Sequence, residues 1–219
     1  HAESLSWMAE EAGDLPAALY WTDRAHVWGG SMGWPAMVAY THVRRSMLAV
    51  TFAGDGVAAA EHATNALRTP EAPARIRGLA AKQLAYGHAL THRQDASRQA
   101  IDMAARLLAS SDEPDQAGAL LGQRSVDLTD LLAIFEATCD VYLGGGSRAI
   151  ATLSPRMTDL GGASRRTQAI TGAKLAQAYA NAGDPAAACD LIRTTLDLDA
   201  TVDSQSTRSE LRRALRLLQ

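Results

Sequence analysis

Aromatic residues are scarce, at 5% of 219 residues, although 47% of the chain is apolar. Alanine and aliphatic side chains therefore carry the apolar content. Long alternations of Val, Ile, Thr and Tyr are missing, which leaves little to build strands from, and small side chains favour close helix packing. Cysteine is limited to Cys139 and Cys189, with no CxxC pair and no disulfide framework. Both sit within helical patterns and read as buried thiols in a reducing compartment. No apolar run approaches the roughly 18 residues of a membrane-spanning helix, and the acidic start Ala2-Glu3-Ser4 is not a signal peptide. The expectation is a cytoplasmic protein with no membrane partner. Positive charge is not in excess either: Lys plus Arg is 21 against 24 for Asp plus Glu, a net charge of -3, which argues against general attraction to phosphate backbones. His1 reads as the end of an expression tag, with the natural segment starting at Ala2.

Motifs for chemistry are lacking as well. There is no nucleophile elbow of the G-x-S-x-G type, no HExxH and no EF-hand loop, and the carboxylates are scattered over polar helix faces. His88 and His92 are spaced i, i+4, but the helix is predicted to end near His92 and no Cys or carboxylate completes a ligand set. His26, His42 and His62 stand isolated on alanine-rich helices. Gly144-Gly145-Gly146-Ser147 and Gly161-Gly162-Ala163-Ser164 lack the Lys and preceding strand of a phosphate loop and read as hairpin turns. No catalytic residue, metal or cofactor is expected.

What the chain does contain is a recurring phrase: a Gly, often followed by Asp, that ends one small-residue helix and opens another. Taking Gly13, Gly54, Gly144 and Gly183 as turns, the residue five positions later is Ala18, Ala59, Ala149 and Ala188, alanine every time. Seven positions before them stand Ser6, Met47, Ala137 and Ala176, small in three of four. A degenerate turn is predicted at His92-Arg93, with Ala85, Ile101 and Ala104 in the matching places. Gly supplies the positive φ that stops a helix, Asp caps the next one, and small residues let antiparallel helices approach.

These spacings are similar to those of the tetratricopeptide (TPR) repeat, and Leu175-Ala176-Gln177-Ala178-Tyr179 leading to Gly183 and Ala188 carries the pattern most fully. The turns fall 41, 38, 52 and 39 residues apart rather than the 34 of a regular array, so helices or loops are longer. The polar run Ser111-Asp112-Glu113-Pro114-Asp115-Gln116 fits a loop over about 110–127. A last helix, Ser206 to Leu218, places Leu211, Leu215 and Leu218 on one side and Arg208, Arg212 and Arg216 on another. The expected fold is an all-α, right-handed α-solenoid of about five TPR-like hairpins over residues 2–219, with a capping helix at about 206–218.

Further wording resembles the TPR-like C-terminal region of actinobacterial helix-turn-helix transcriptional regulators of the XRE (Cro-repressor) type. The residues concerned are Ala12-Gly13-Asp14-Leu15-Pro16-Ala17-Ala18-Leu19-Tyr20-Trp21, then Met37-Val38-Ala39-Tyr40 with Arg44-Arg45-Ser46, Arg75-Ile76-Arg77-Gly78-Leu79, and Leu211-Arg212-Arg213. The resemblance implies a regulatory, ligand-sensing or oligomerising domain. No helix-turn-helix segment is found in the chain, so DNA would be reached only through a module absent from it.

In such an array the first helix of each hairpin lines a concave groove. Counting back from the turns places Trp7, Glu10, Arg44, Leu48, Thr51, Lys82, Tyr86, Thr138 and Gln177 on that surface. Arg44 and Lys82 suit a carboxylate or phosphate, and Trp7 and Tyr86 offer flat apolar contact. Trp21, Trp28 and Trp34 read as core or interface. The expected role is non-catalytic: a regulatory domain that senses a peptide or small molecule in the groove. The alternative is a passive homodimerisation or protein-protein scaffold with no small ligand.

Overall fold

The computed structural model describes residues 1–110, 128–159 and 164–219, and these are all-helical, without a strand. Eleven α-helices follow in order: α1 (Ala2–Glu11), α2 (Leu15–Ser31), α3 (Pro35–Leu48), α4 (Gly56–Leu67), α5 (Ala74–Leu90), α6 (Gln94–Ala109), α7 (Leu128–Tyr142), α8 (Gly146–Asp159), α9 (Arg165–Asn181), α10 (Pro185–Val202) and α11 (Gln205–Leu217). A π-helical turn, Ala49–Ala53, extends α3. The run from Ser111 to Gln116 and the stretch Gly161-Gly162-Ala163 lie outside the described residues.

Turn chemistry explains where the helices stop. Gly13, Gly54, Gly144 and Gly183 take φ of +82°, +64°, +80° and +79°, and His92 takes +57°, a left-handed conformation that disfavours residues with a Cβ. The Asp after three of these glycines caps the next helix. Asp14 accepts from Ala17 N at 2.9 Å, Asp55 from Ala58 N at 2.9 Å and Asp184 from Ala187 N at 3.0 Å, satisfying amides the helix start leaves open. Arg93 offers no such oxygen, and α6 starts without a side-chain cap.

Ala18, Ala59, Ala149 and Ala188 are fully buried, as are Ser6, Ala85 and Ala176. In the second hairpin the expected register is corrected by one residue. Counting back from Gly54 reaches Met47, but the fully buried small residue is Ser46, whose Oγ donates to the Ala59 carbonyl at 2.8 Å. The π-helical turn winds an additional residue into the helix before Gly54, which no count of spacing can register. Elsewhere backbones touch: a Cβ on Gly87 would lie 2.7 Å from both Ala60 N and the Gly56 carbonyl oxygen.

Each helix up to α6 packs on the next, as do the later ones from α7 onward, and α3, α5, α7 and α9 also touch one another in that order to form an inner layer. Their shared core contains Tyr86, Ile101, Phe135, Tyr142 and Leu153, with Met37, Tyr40, Val43 and Ile76 at the N-terminal side. The last helix, α11, packs on α9 and reaches both α1 and the π-helical turn after α3, so the two ends of the chain meet. Of the three leucines on one side of it, Leu211 and Leu218 pack on the core of α9 and α10 and Leu215 does not. Leu211 is buried, but Leu215 is 47% exposed, while Ser206, Thr207, Ser209 and Glu210 are enclosed. The two cysteines also divide: Cys139 is in the core and Cys189 is exposed on α10. The buried stripe of α10 runs through Ala188, Ile192, Thr195 and Asp199, and Cys189 stands one residue off it.

Candidate functional site

Inward-facing side chains of α1, α3, α5, α9 and α11 form a line of charge, joined by the neutral Thr138 and Tyr142 of α7. At the first end, Arg44 Nη2 lies 2.8 Å from Glu10 Oε2, both side chains 2% exposed. Thr51 donates to Glu10 Oε1 at 3.0 Å, and Ser6 accepts from Arg44 Nη2 at 3.4 Å. The Arg44 N–H directions miss Glu10 Oε2, so the contact is an ion pair more than an aligned hydrogen bond. Of the residues expected on a ligand-binding face, Glu10, Arg44 and Thr51 are thus brought together and engage one another.

At the other end, Glu210 of α11 accepts from Tyr142 Oη at 2.6 Å, Gln177 Nε2 at 2.7 Å and Arg213 Nη1 at 2.8 Å. Burial pushes this carboxyl up, but Arg213, Lys174 and the two neutral donors more than offset it and hold it below its ordinary range. Arg213 Nη2 also donates to the Val50 carbonyl in the π-helical turn at 2.5 Å. Glu11 accepts from Arg166 at 2.6 Å, Ser204 at 2.5 Å and Ser206 at 2.7 Å, joining α1 to α9 and α11. Trp7, 41% exposed, stands beside this joint with the Arg166 guanidinium 5.7 Å from its ring centre.

Between these clusters is a cavity of about 230 Å³ lined by Tyr40, Val43 and Met47 of α3, Arg75, Leu79 and Lys82 of α5, Leu108 of α6, and Leu131 and Phe135 of α7. Lys82 Nζ lies 5.2 Å from the ring centres of both Tyr86 and Phe135. It has no hydrogen-bond or ion-pair partner among the described residues. Lys82 keeps partial exposure and lines the cavity, yet burial is the main influence on its titration, with repulsion from Lys174 second, and the amine is lowered to about 7. Lys174, likewise lowered chiefly by burial, donates to Thr138 at 3.1 Å and approaches the Tyr86 ring at 5.8 Å. The register change in α3 is what places Val43 and Met47 on the cavity wall while Arg44 turns toward α1.

A second recess, about 350 Å³, is lined by Arg98, Asp102, Glu136, Cys139, Asp140 and Arg148 among others, and Arg148 and Asp140 pair across it at 2.7 Å. The histidines on α2 and α3 are not isolated, as expected from the sequence, but meet: the His26 and His42 rings are 5.3 Å apart and His26 Nδ1 bonds Thr41 Oγ1 at 2.9 Å. Burial, then His26 and Arg45, lower His42 to about 4. His88 lies in the last turn of α5, and His92 forms the left-handed turn beyond it. Among the described residues, no three His, Cys, Asp or Glu are placed to hold a metal ion, and no helix is long and apolar enough to cross a membrane.

Counting from the turns names Lys82, Tyr86 and Gln177, and beside them the structure places Lys174, Glu210 and Arg213, which the count does not reach. Lys174 stands one residue off the counted stripe, and α11 has no repeat partner to count from. The residues define an all-helical protein with a small cavity facing its inner layer and one unpaired amine in that cavity. No family model matches the chain, and neither does any curated protein or solved structure.

Proposed function

We propose that the chain is the small-molecule-sensing domain of a cytoplasmic transcriptional regulator, a right-handed α-solenoid of TPR-like hairpins that acts without catalysis. The turn glycines with their Asp caps and the buried alanines support the TPR-like reading. The resemblance to XRE-type regulators supports the regulatory one. The observation that carries the sensing role is the cavity itself: apolar walls on three helices of the inner layer, with the Lys82 amine left without a partner. Pockets of this kind, apolar with few polar groups, are the usual form of ligand sites.

A route from the cavity to the chain ends supports the switching part. Tyr86 packs edge-on against Tyr142, ring centres 5.7 Å apart, and Tyr142 bonds Glu210 of α11. α11 in turn holds α1 and the π-helical turn. Phe135 on the cavity wall packs edge-on against Tyr86 at 6.4 Å, so a ligand that displaces Phe135 shifts the α11 contacts, provided it binds the displaced and undisplaced arrangements with different affinity. DNA would be engaged by a module outside this sequence.

The test is a thermal-shift screen of small organic molecules and short peptides, followed by hydrogen exchange on each hit. The expected result is added protection in α5, α7 and α11. Identical exchange in the saturated and empty protein would sink the proposal.

A second reading is a homodimerisation or scaffold module, favoured by one observation. Most exposed large apolar residues cluster in the first two helices and the turn after them: Met8 at 59%, Tyr20 at 52%, Trp28 at 50% and Met32 at 75% among them. Light scattering separates the readings: a monomer that binds small molecules supports the first, and a stable dimer indifferent to them the second.

A further inference from the structure

The inner layer and the helices α1 and α11 packed on it hold the basic side chains Arg44, Arg166, Arg213, Lys82 and Lys174 and the carboxylates Glu10, Glu11 and Glu210. The three arginines take the three carboxylates, at 2.8, 2.6 and 2.8 Å. Lys174 has Thr138 and the field of Glu210. Among the described residues, Lys82 has only the faces of Tyr86 and Phe135. A lone ammonium against apolar walls is costly, and the arrangement is complete only when a negative charge arrives with an apolar body behind it.

We infer that Lys82 is the anion receptor of this cavity and that its ligand is a small apolar monocarboxylate. The inference rests on the sensing role proposed above. A phosphate is a poor fit, since it needs several converging donors, whereas Val43, Leu79, Leu108, Leu131 and Phe135 make most of this wall apolar. The cavity of about 230 Å³ equals the liquid volume of roughly eight waters, which suits an acid of about eight to ten non-hydrogen atoms.

The charged and titratable groups that Lys82 meets are Glu10 from α1, Tyr40 from α3, Cys139 from α7 and Lys174 from α9, with Arg75 and Tyr86 on its own helix. Glu10 is committed to Arg44, and burial holds Cys139 as a neutral thiol, pushed up to about 12. The amine of the empty site, at about 7, is therefore half neutral at neutral pH and becomes fully charged when a carboxylate pairs with it. Binding takes up about half a proton near pH 7 and close to one near pH 8, and apparent affinity falls about tenfold per pH unit above 7.

The experiment is isothermal titration calorimetry of the chain with octanoate and with its neutral counterpart octanamide, in two buffers of different protonation heat. Octanoate is expected to bind at least tenfold tighter than octanamide with the stated proton uptake, and Lys82→Met to abolish both that preference and the proton uptake. Equal binding of acid and amide, absence of proton uptake, or undiminished octanoate binding by Lys82→Met overturns the inference and leaves the sensing role standing. Failure of every compound in the thermal-shift screen removes that role as well.

Discussion

Replacing Lys82 by Met is expected to stabilise the empty protein. Lowering an amine from 10.5 to about 7 corresponds to about 5 kcal/mol, at about 1.4 kcal/mol for each tenfold change in proton affinity. This is an upper limit, because Lys82 retains partial exposure and loses, on substitution, a cation–π attraction of about 0.5–2 kcal/mol. A net gain of about 2 kcal/mol at neutral pH remains, or roughly 4–8 °C in Tm for a chain of this size. The sign follows from proton counting. The folded amine binds protons more weakly than the unfolded one, so between about 7 and 10.5 the unfolded state holds more protons and stability rises with pH. The penalty is complete below about 7 and fades toward 10.5, and the variant has no such dependence. Urea unfolding followed by circular dichroism across this window reads both quantities. A Lys82→Met protein less stable than the parent, or a gap between the two that does not narrow as pH rises, would refute the reasoning.

Other consequences concern the rest of the inner layer. Glu210→Leu leaves Arg213, Tyr142 and Gln177 without their acceptor and is expected to cost about 3–5 kcal/mol, measured by chemical denaturation. Because the carboxyls of Glu210 and Glu11 are held below their ordinary range, their contribution is present above about pH 4.5 and lost as pH falls through the lowered values; an acid titration followed by tryptophan fluorescence should show Glu210→Leu unfolding over a weaker pH dependence than the parent. Gly87→Ala drives a methyl into the backbone of Gly56 and Ala60 and should lower stability by about 1–3 kcal/mol, whereas Gly30→Ala, with open space around it, should not. A thiol reagent at mildly alkaline pH is expected to label Cys189 rapidly and Cys139 only on unfolding, since Cys139 is buried and its thiol raised to about 12; mass spectrometry of the peptides reads this directly.

The hairpin turns were legible in the sequence because each is a local event: a residue in left-handed conformation, a capping Asp, and an alanine at a fixed distance. The second hairpin shows the limit of such counting. Its π-helical turn, fixed by packing across α3, α4 and α11, shifts Ser46 into the place assigned to Met47 and sends Arg44 toward Glu10. Lys82 and Tyr86 lie on a helix of regular winding, where counting keeps its register. What made Lys82 distinct, the absence among the described residues of an acid paired with it, depends on where α1, α7 and α9 place Glu10, Cys139 and Lys174, and spacing within one helix carries none of that. Cys189 was misread for a simpler reason: a rotation of one residue, about 100° on a helix, turns a side chain from core to solvent.

The polar face of α11 bears on how the chain ends are set. An apolar face on this helix would pack against α9 about as well in more than one position, since leucines spaced by a turn present similar surfaces to a neighbour. Glu210 removes that freedom. Its donors come from α7, α9 and α11, while Arg213 reaches Val50 beyond α3, and a shift of α11 by one turn would break all of these at once and leave a carboxylate buried alone. Such a network adds little net stability over packed hydrocarbon, so its effect is to select one register. The device also explains why the π-helical turn persists: the Val50 carbonyl accepts both the Gly54 amide and Arg213, and a straight α3 would carry that carbonyl away from α11. The irregularity in the second hairpin and the polar last helix are thus two halves of one contact, made between residues 163 positions apart.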